Sequence, residues 1–176
     1  MNTSDADWVQ RDVPAPGVTR LTLNRPDSFN ALSADMMTAL QAALDAASQD
    51  PACRVVVLAA SGRAFCAGHD LREMNAQPEL SFYQQLFAQC SRMMLTVQAM
   101  PQPVIAQVQG IATAAGCQLV AMCDLAVAAD TARFAVSGIH YGLFCAKPSV
   151  GLSRNLGRKQ AMEMLHGRLH RRPCRG

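Results

Sequence analysis

The chain has 176 residues, of which 50% are hydrophobic and 16% charged, a balance that suits one domain able to bury a core. Its net charge of +3 is concentrated in residues 166–176, which hold four arginines and no acid, so the remainder carries −1 and no nucleic-acid partner is expected. No apolar run approaches the roughly 18–20 residues of a membrane span, and the opening "MNTSDADWVQRDV" lacks the basic-then-apolar pattern of a secretory leader. Seven cysteines (Cys53, Cys66, Cys90, Cys117, Cys123, Cys145 and Cys174) are scattered through apolar stretches without a Cys-x-x-Cys pair. They read as reduced, mostly buried thiols of a cytosolic protein, not as disulfides or a metal site.

In chain order, "WVQRDV" and "GVTRLTLN" alternate around "PAPG" and predict a hairpin. "RPDSFNALS" is a turn and helix entry, with Ser33 as N-cap and a helix over 34–48 carrying Met36, Met37, Leu40, Ala43, Leu44 and Ala47 on one face. "CRVVVLAA", residues 53–60, predicts a strand covered on both faces, followed by a loop and helical turn in "SGRAFCAGHDLREM". Residues 80–100 form the longest helical pattern, with Phe82, Leu86, Phe87, Cys90, Met93, Met94 and Val97 on one side, and Pro101 and Pro103 end it. "VIAQVQG", residues 104–110, is a buried strand. Residues 112–130 follow as a small-residue loop, a short helix and the buried strand "LAVAAD". "RFAV" is short and extended, and "PSVGLSRNLGRKQAMEML" predicts two short helices broken near Gly157. The repeated strand, loop and helix imply an α/β fold with parallel strands over 1–165, and the basic tail 166–176 is expected to be flexible.

Two loops stand out because each follows a buried strand. In "AFCAGHDL", residues 64–71, a glycine lets a ligand approach backbone N–H groups, although the spacing fits an ordinary strand-to-helix turn as well. In "QGIATAAGCQL", residues 109–119, Ala114, Ala115 and Gly116 stand at a helix entry, where small residues serve either anion binding or tight packing. Together the loops can supply two N–H donors to one oxyanion hole, as an acyl thioester requires.

"LTLNRPDSFNALS", "GRAFCAGHDLREM" and "VQGIATAAGCQLVAMCDLAVAADTARFAV" resemble, in order, the enoyl-CoA hydratase/isomerase (crotonase) superfamily from about residue 8 to residue 165. The resemblance implies a spiral of β-β-α units with two roughly perpendicular sheets, usually assembled as trimers or dimers of trimers. It implies a coenzyme A thioester as substrate or ligand, with no separate cofactor and no metal. The N–H groups of His69 and Ala115 would form the oxyanion hole beside Gly116, and Ala67, Gly68, Asp70 and Leu71 would line the groove for pantetheine and adenine.

The chain departs from the family where hydratases carry two glutamates, since Gln118 and Gly138 occupy those positions. An amide hydrogen-bonds but takes up no proton at neutral pH, so hydration by the glutamate route is not expected. His69 and His140 are the candidate proton carriers in their place. The alternatives are another acyl-CoA reaction, such as isomerisation or thioester hydrolysis, and a non-catalytic acyl-CoA-binding or interaction protein. Of the other polar residues, Cys145 is expected as a buried inert thiol and Asp124 as a brace for the strand that follows it. Asp70 is expected to order its loop, and Glu73 to lie on a solvated helical turn. Family members continue for roughly half a domain of helices, which this sequence is expected to lack. One inserted base would convert a family-like "LIDARAG" into the "LHRRPCRG" that ends the chain.

Overall fold

The opening hairpin forms as its alternation dictates. In the computed structural model, which describes residues 8–136, 138–139, 142 and 144–166, β1 (Val9–Ala15) pairs antiparallel with β2 (Val18–Leu23). Pro14 and Ala15, expected in the turn, extend β1, because an edge strand tolerates proline. Helix α1 (Ala34–Gln49) starts at Ser33, whose Oγ accepts the Met36 N–H at 3.2 Å, and it buries Met36, Met37, Leu40, Leu44 and Ala47.

From there the chain repeats one unit. β3 (Val55–Ala60) and β4 (Ala64–Cys66) lead to α2 (Leu71–Ala76) and α3 (Leu80–Ala99). β5 (Val104–Val108) and β6 (Ile111–Thr113) lead to α4 (Ala115–Met122), and β7 (Leu125–Ala128) and β8 (Arg133–Ala135) to α5 (Ala146–Asn155) and α6 (Arg158–Leu165). The first strand of each unit joins a sheet of order β1-β2-β3-β5-β7, and the second joins a sheet of order β4-β6-β8. Every pairing after the hairpin is parallel, so the chain spirals between two sheets as in the crotonase fold. α3 closes the core with Leu86, Cys90, Met93, Met94 and Val97, while Phe82 and Phe87 are half-buried. The six cysteines of the described residues are free thiols; Cys174 and the rest of the tail from residue 167 lie outside them.

Three expectations change. β4 and β6, expected as loops, are strands of three residues each, too short to show a period in sequence. β7 is not buried on both faces: it is an edge of the larger sheet, and Leu125 and Val127 stand exposed on one side. Glu73 is not simply solvated. Its carboxylate accepts the Ala34 N–H at 3.1 Å and so caps the first turn of α1 from α2, and partial burial outweighs that bond and raises its pKa.

The segment between β2 and α1 is pinned by a fully buried Asn30 in left-handed backbone, a conformation asparagine tolerates better than most residues. Its Nδ2 donates to the carbonyls of Ser61 and Ala64, both at 2.9 Å, and its Oδ1 accepts the Arg25 N–H at 2.8 Å. These bonds tie the β3–β4 connection and the start of β4 to the segment between β2 and α1. Asn30→Ala removes the bonds to the Ser61 carbonyl and the Arg25 N–H, while the Ala64 carbonyl keeps the Gln109 amide at 3.1 Å, and it is expected to cost about 1–3 kcal/mol. Urea unfolding of the variant against the parent measures it, and a loss below about 0.5 kcal/mol would show that the network is not structural.

Candidate active site

The loop at 67–70 hangs on the segment that Asn30 pins. Ala67 donates to the Phe29 carbonyl at 3.0 Å, Leu32 donates to the Gly68 carbonyl at 2.8 Å, and Asp70 donates to the Leu32 carbonyl at 3.4 Å. Leu32 thus bridges the groups on either side of His69, and the His69 N–H points away from that strand. Asp70 orders the loop as expected, its Oδ1 accepting the N–H groups of Arg72 and Glu73 at the start of α2. Leu71 is exposed beside it.

The second loop turns sharply from β6 into α4. Ala114 has φ +49° and ψ −121°, a strained conformation for a residue with a side chain, costing about 1–3 kcal/mol. It is held by its N–H to the Ala135 carbonyl at 3.0 Å, and its own carbonyl accepts the Gln118 N–H at 3.0 Å to open the helix. The N–H groups of Ala115 and Gly116 fall in the first turn, where a helix offers no internal acceptor.

The two loops touch. The Thr113 hydroxyl donates to the Ala67 carbonyl at 2.9 Å. Gly68 has φ +92°, and a β-carbon there would lie 2.9 Å from the Ala114 Cβ and 3.3 Å from the Ala115 nitrogen. At Gly116 a β-carbon would lie 2.2 Å from the Cys66 carbonyl oxygen. The backbones of the expected site residues Ala67, Gly68, His69, Ala115 and Gly116 therefore stand together at one seam. The Ala67 carbonyl holds that seam, while its N–H is taken by Phe29.

Side-chain chemistry around the seam is sparse. The His69 ring packs edge-on against Phe87, with centroids 5.2 Å apart, and its Nδ1 is buried without a hydrogen-bond partner. Burial pulls its pKa down, the Leu32 carbonyl opposes this, and the Lys147 charge adds to the lowering. The Lys147 ammonium stands 5.2 Å from the centroid of the same Phe87 ring, its Nζ donating to the Phe87 carbonyl at 2.6 Å and the Ser91 hydroxyl at 2.8 Å. Burial pushes the Cys66 and Cys123 thiols up to about 12 and Cys90 to about 11, so none is a nucleophile near neutral pH. Cys145 is half-buried at the entry to α5, not fully buried. Asp124 braces as expected, its carboxylate accepting the Val104 N–H at 2.8 Å.

Gln118, one turn along α4 from Ala115, is buried, and its Oε1 has no partner among the described residues. It faces a cleft of about 260 Å³ between α3, α4 and α5. Gly138 is half-buried in a 3₁₀ turn at 138–139 and is not among the described residues lining that cleft. His140 lies outside the described residues. Sequence reasoning missed Lys147, Phe87 and Asn30. Lys147 gives no periodic signal, Phe87 reads as core, and Asn30 reads as a turn residue.

The profile of the family described as enoyl-CoA hydratase/isomerase matches residues 15–170. A protein of Xenopus laevis named enoyl-CoA hydratase domain-containing protein 3, mitochondrial, is 46% identical over 149 residues, covering 85% of this chain and 51% of the relative. Its namesake from Homo sapiens is 44% identical over 151 residues, covering 85% of this chain and 49% of the relative. The crystal structure of an enoyl-CoA hydratase from Mycobacterium smegmatis superposes with a TM-score of 0.89 at 60% identity, over 93% of this chain and 64% of that one. The chain spans about half the length of the curated relatives it matches. These names correct the cytosolic location expected from the cysteines, because both vertebrate relatives are named mitochondrial. Free thiols report a reducing compartment and do not distinguish one such compartment from another.

The buried imidazole makes stability depend on pH. Its folded pKa lies below the ordinary 6.5, so the unfolded chain takes up this proton first. The stability contributed by the neutral ring is present above about pH 6.5 and is lost as pH falls through the folded pKa. Urea midpoints between pH 7 and pH 5 should therefore fall less steeply in His69→Phe than in the parent. Parallel curves would show that His69 titrates as freely in the fold as in the unfolded chain.

Proposed function

We propose that this chain, which belongs to the enoyl-CoA hydratase/isomerase family, binds an acyl-coenzyme A thioester with its carbonyl oxygen between the backbone N–H groups of His69 and Ala115. The observation that carries this reading is the contact of the two loops, with the Gly68 β-position 3.3 Å from the Ala115 nitrogen. A thioester carbonyl gains negative charge as it becomes an enolate or a tetrahedral intermediate. Two fixed donors at a helix start meet that charge without reorganising, and one such donor is worth about 2.7–4 kcal/mol in enzymes where it has been removed. The exposed Leu71 offers apolar surface for the pantetheine and adenine of the ligand.

Proton transfer is the weaker half of the site. In this reading Gln118 and Gly138 take the places of the two acids, and an amide cannot abstract an α-proton. The imidazoles of His69 and His140 are the remaining proton carriers, and burial keeps His69 neutral near pH 7. The protein therefore binds and polarises acyl thioesters, and hydrates enoyl thioesters poorly.

Calorimetric titration with butyryl-CoA, alongside steady-state hydration of crotonyl-CoA, tests both halves. Saturable binding is expected, abolished in Gly68→Val, with hydration about 10²–10⁴-fold slower than in a relative that has both acids. Absence of binding would overturn the proposal. Fast hydration that collapses in Gln118→Ala would overturn the account of its acid–base half.

A further inference from the structure

The cleft over Gln118 carries two cations that no carboxylate among the described residues pairs with. Lys147, Gly151 and Arg154 recur at helical spacing on one face of α5, and all three line the cleft with Gln118. Gly151 permits the close approach: a β-carbon there would stand 3.5 Å from the Gln118 Cγ and 3.3 Å from the Met122 Sδ. Lys147 engages only neutral acceptors, the Phe87 carbonyl and the Ser91 hydroxyl. Among the described residues neither Lys147 nor Arg154 pairs with a carboxylate. Among the described residues both cations therefore lack a counter-charge over a mainly apolar cleft that includes Met94 and Val150.

A second, independent observation is the Gln118 amide itself. It is more than nine-tenths buried and its Oε1 lacks a partner, a condition that costs about 1–3 kcal/mol unless a ligand relieves it. Oxygen and nitrogen of a glutamine amide exchange by a half-turn, so the same position can offer an N–H to an anion. The cleft also borders the thioester seam. Gln118 is one helical turn from Ala115, and the Phe87 ring contacts both His69 and the Lys147 ammonium.

We infer that the cleft selects acyl thioesters whose acyl chain ends in a carboxylate, with Lys147 and Arg154 supplying the charge and the Gln118 amide a hydrogen bond. The inference rests on the thioester reading above and specifies its acyl group. The same cations would suit the phosphates of coenzyme A, so the test must separate the two sources of negative charge. Glutaryl-CoA and pentanoyl-CoA share chain length and every phosphate, and differ in the terminal carboxylate alone.

Calorimetric titration of the full chain with both is expected to give at least tenfold tighter binding of glutaryl-CoA. The ratio of the two affinities should fall to about one in Lys147→Met and persist in Lys147→Arg. Because each ratio is taken within one protein, a variant with less folded material still reports it. Equal binding of the two ligands by the parent would overturn the inference while leaving the thioester reading standing. Equal weakening of both in Lys147→Met would overturn it too, assigning the cation to the phosphates. Failure of both ligands to bind the parent would remove the thioester reading and this inference with it.

Discussion

The absence of a β-carbon at Gly68 and at Gly116 is the constraint on which the site depends. Each glycine stands where a methyl group would strike the other loop, so any side chain there drives the two strand-to-helix connections apart. The rest of the molecule supports that contact. Asn30 pins the segment that carries Leu32, Leu32 brackets His69, and Ala135 holds the strained Ala114 at the start of α4. The fold thus spends buried hydrogen bonds and a strained residue to bring together two pieces of backbone that are 47 positions apart.

That arrangement explains why the site is built from main chain. A backbone N–H held by a sheet and a helix has a fixed direction and no rotamer freedom, and its placement survives changes in side chain at the same position. His69 shows this: its N–H faces away from Leu32 while its ring lies in an apolar contact with Phe87, and the two features are independent. Charge is placed differently. Lys147 and Arg154 sit on α5 and line the cleft with Gln118. In the proposed reading, polarisation of a carbonyl and selection of an acyl chain fall to different elements, with Gln118 lining the cleft one helical turn from Ala115.

Much of this was legible in the sequence, and the failures have definite causes. The long helices were readable because α1 and α3 repeat their apolar residues over several turns. The three-residue strands β4 and β6 were not, since pairing with a neighbour, not local pattern, makes them strands. "LAVA" is apolar at every position, so its pattern does not show that one face of β7, that of Leu125 and Val127, stands uncovered. The two loops were recognisable by their small residues, but their contact is a tertiary fact. Glu73 and Lys147 escaped notice because each acts on an element distant in sequence, Glu73 on the first turn of α1 and Lys147 on α3.

The central claim is that two backbone donors polarise a thioester carbonyl at the seam. Isotope-edited infrared spectroscopy of butyryl-CoA labelled with ¹³C at the thioester carbonyl observes that bond directly. The account predicts that the carbonyl band moves to lower frequency on binding than in water, because two aligned N–H groups weaken the bond more than mobile solvent does. A bound ligand whose carbonyl band stays at its aqueous frequency would contradict it.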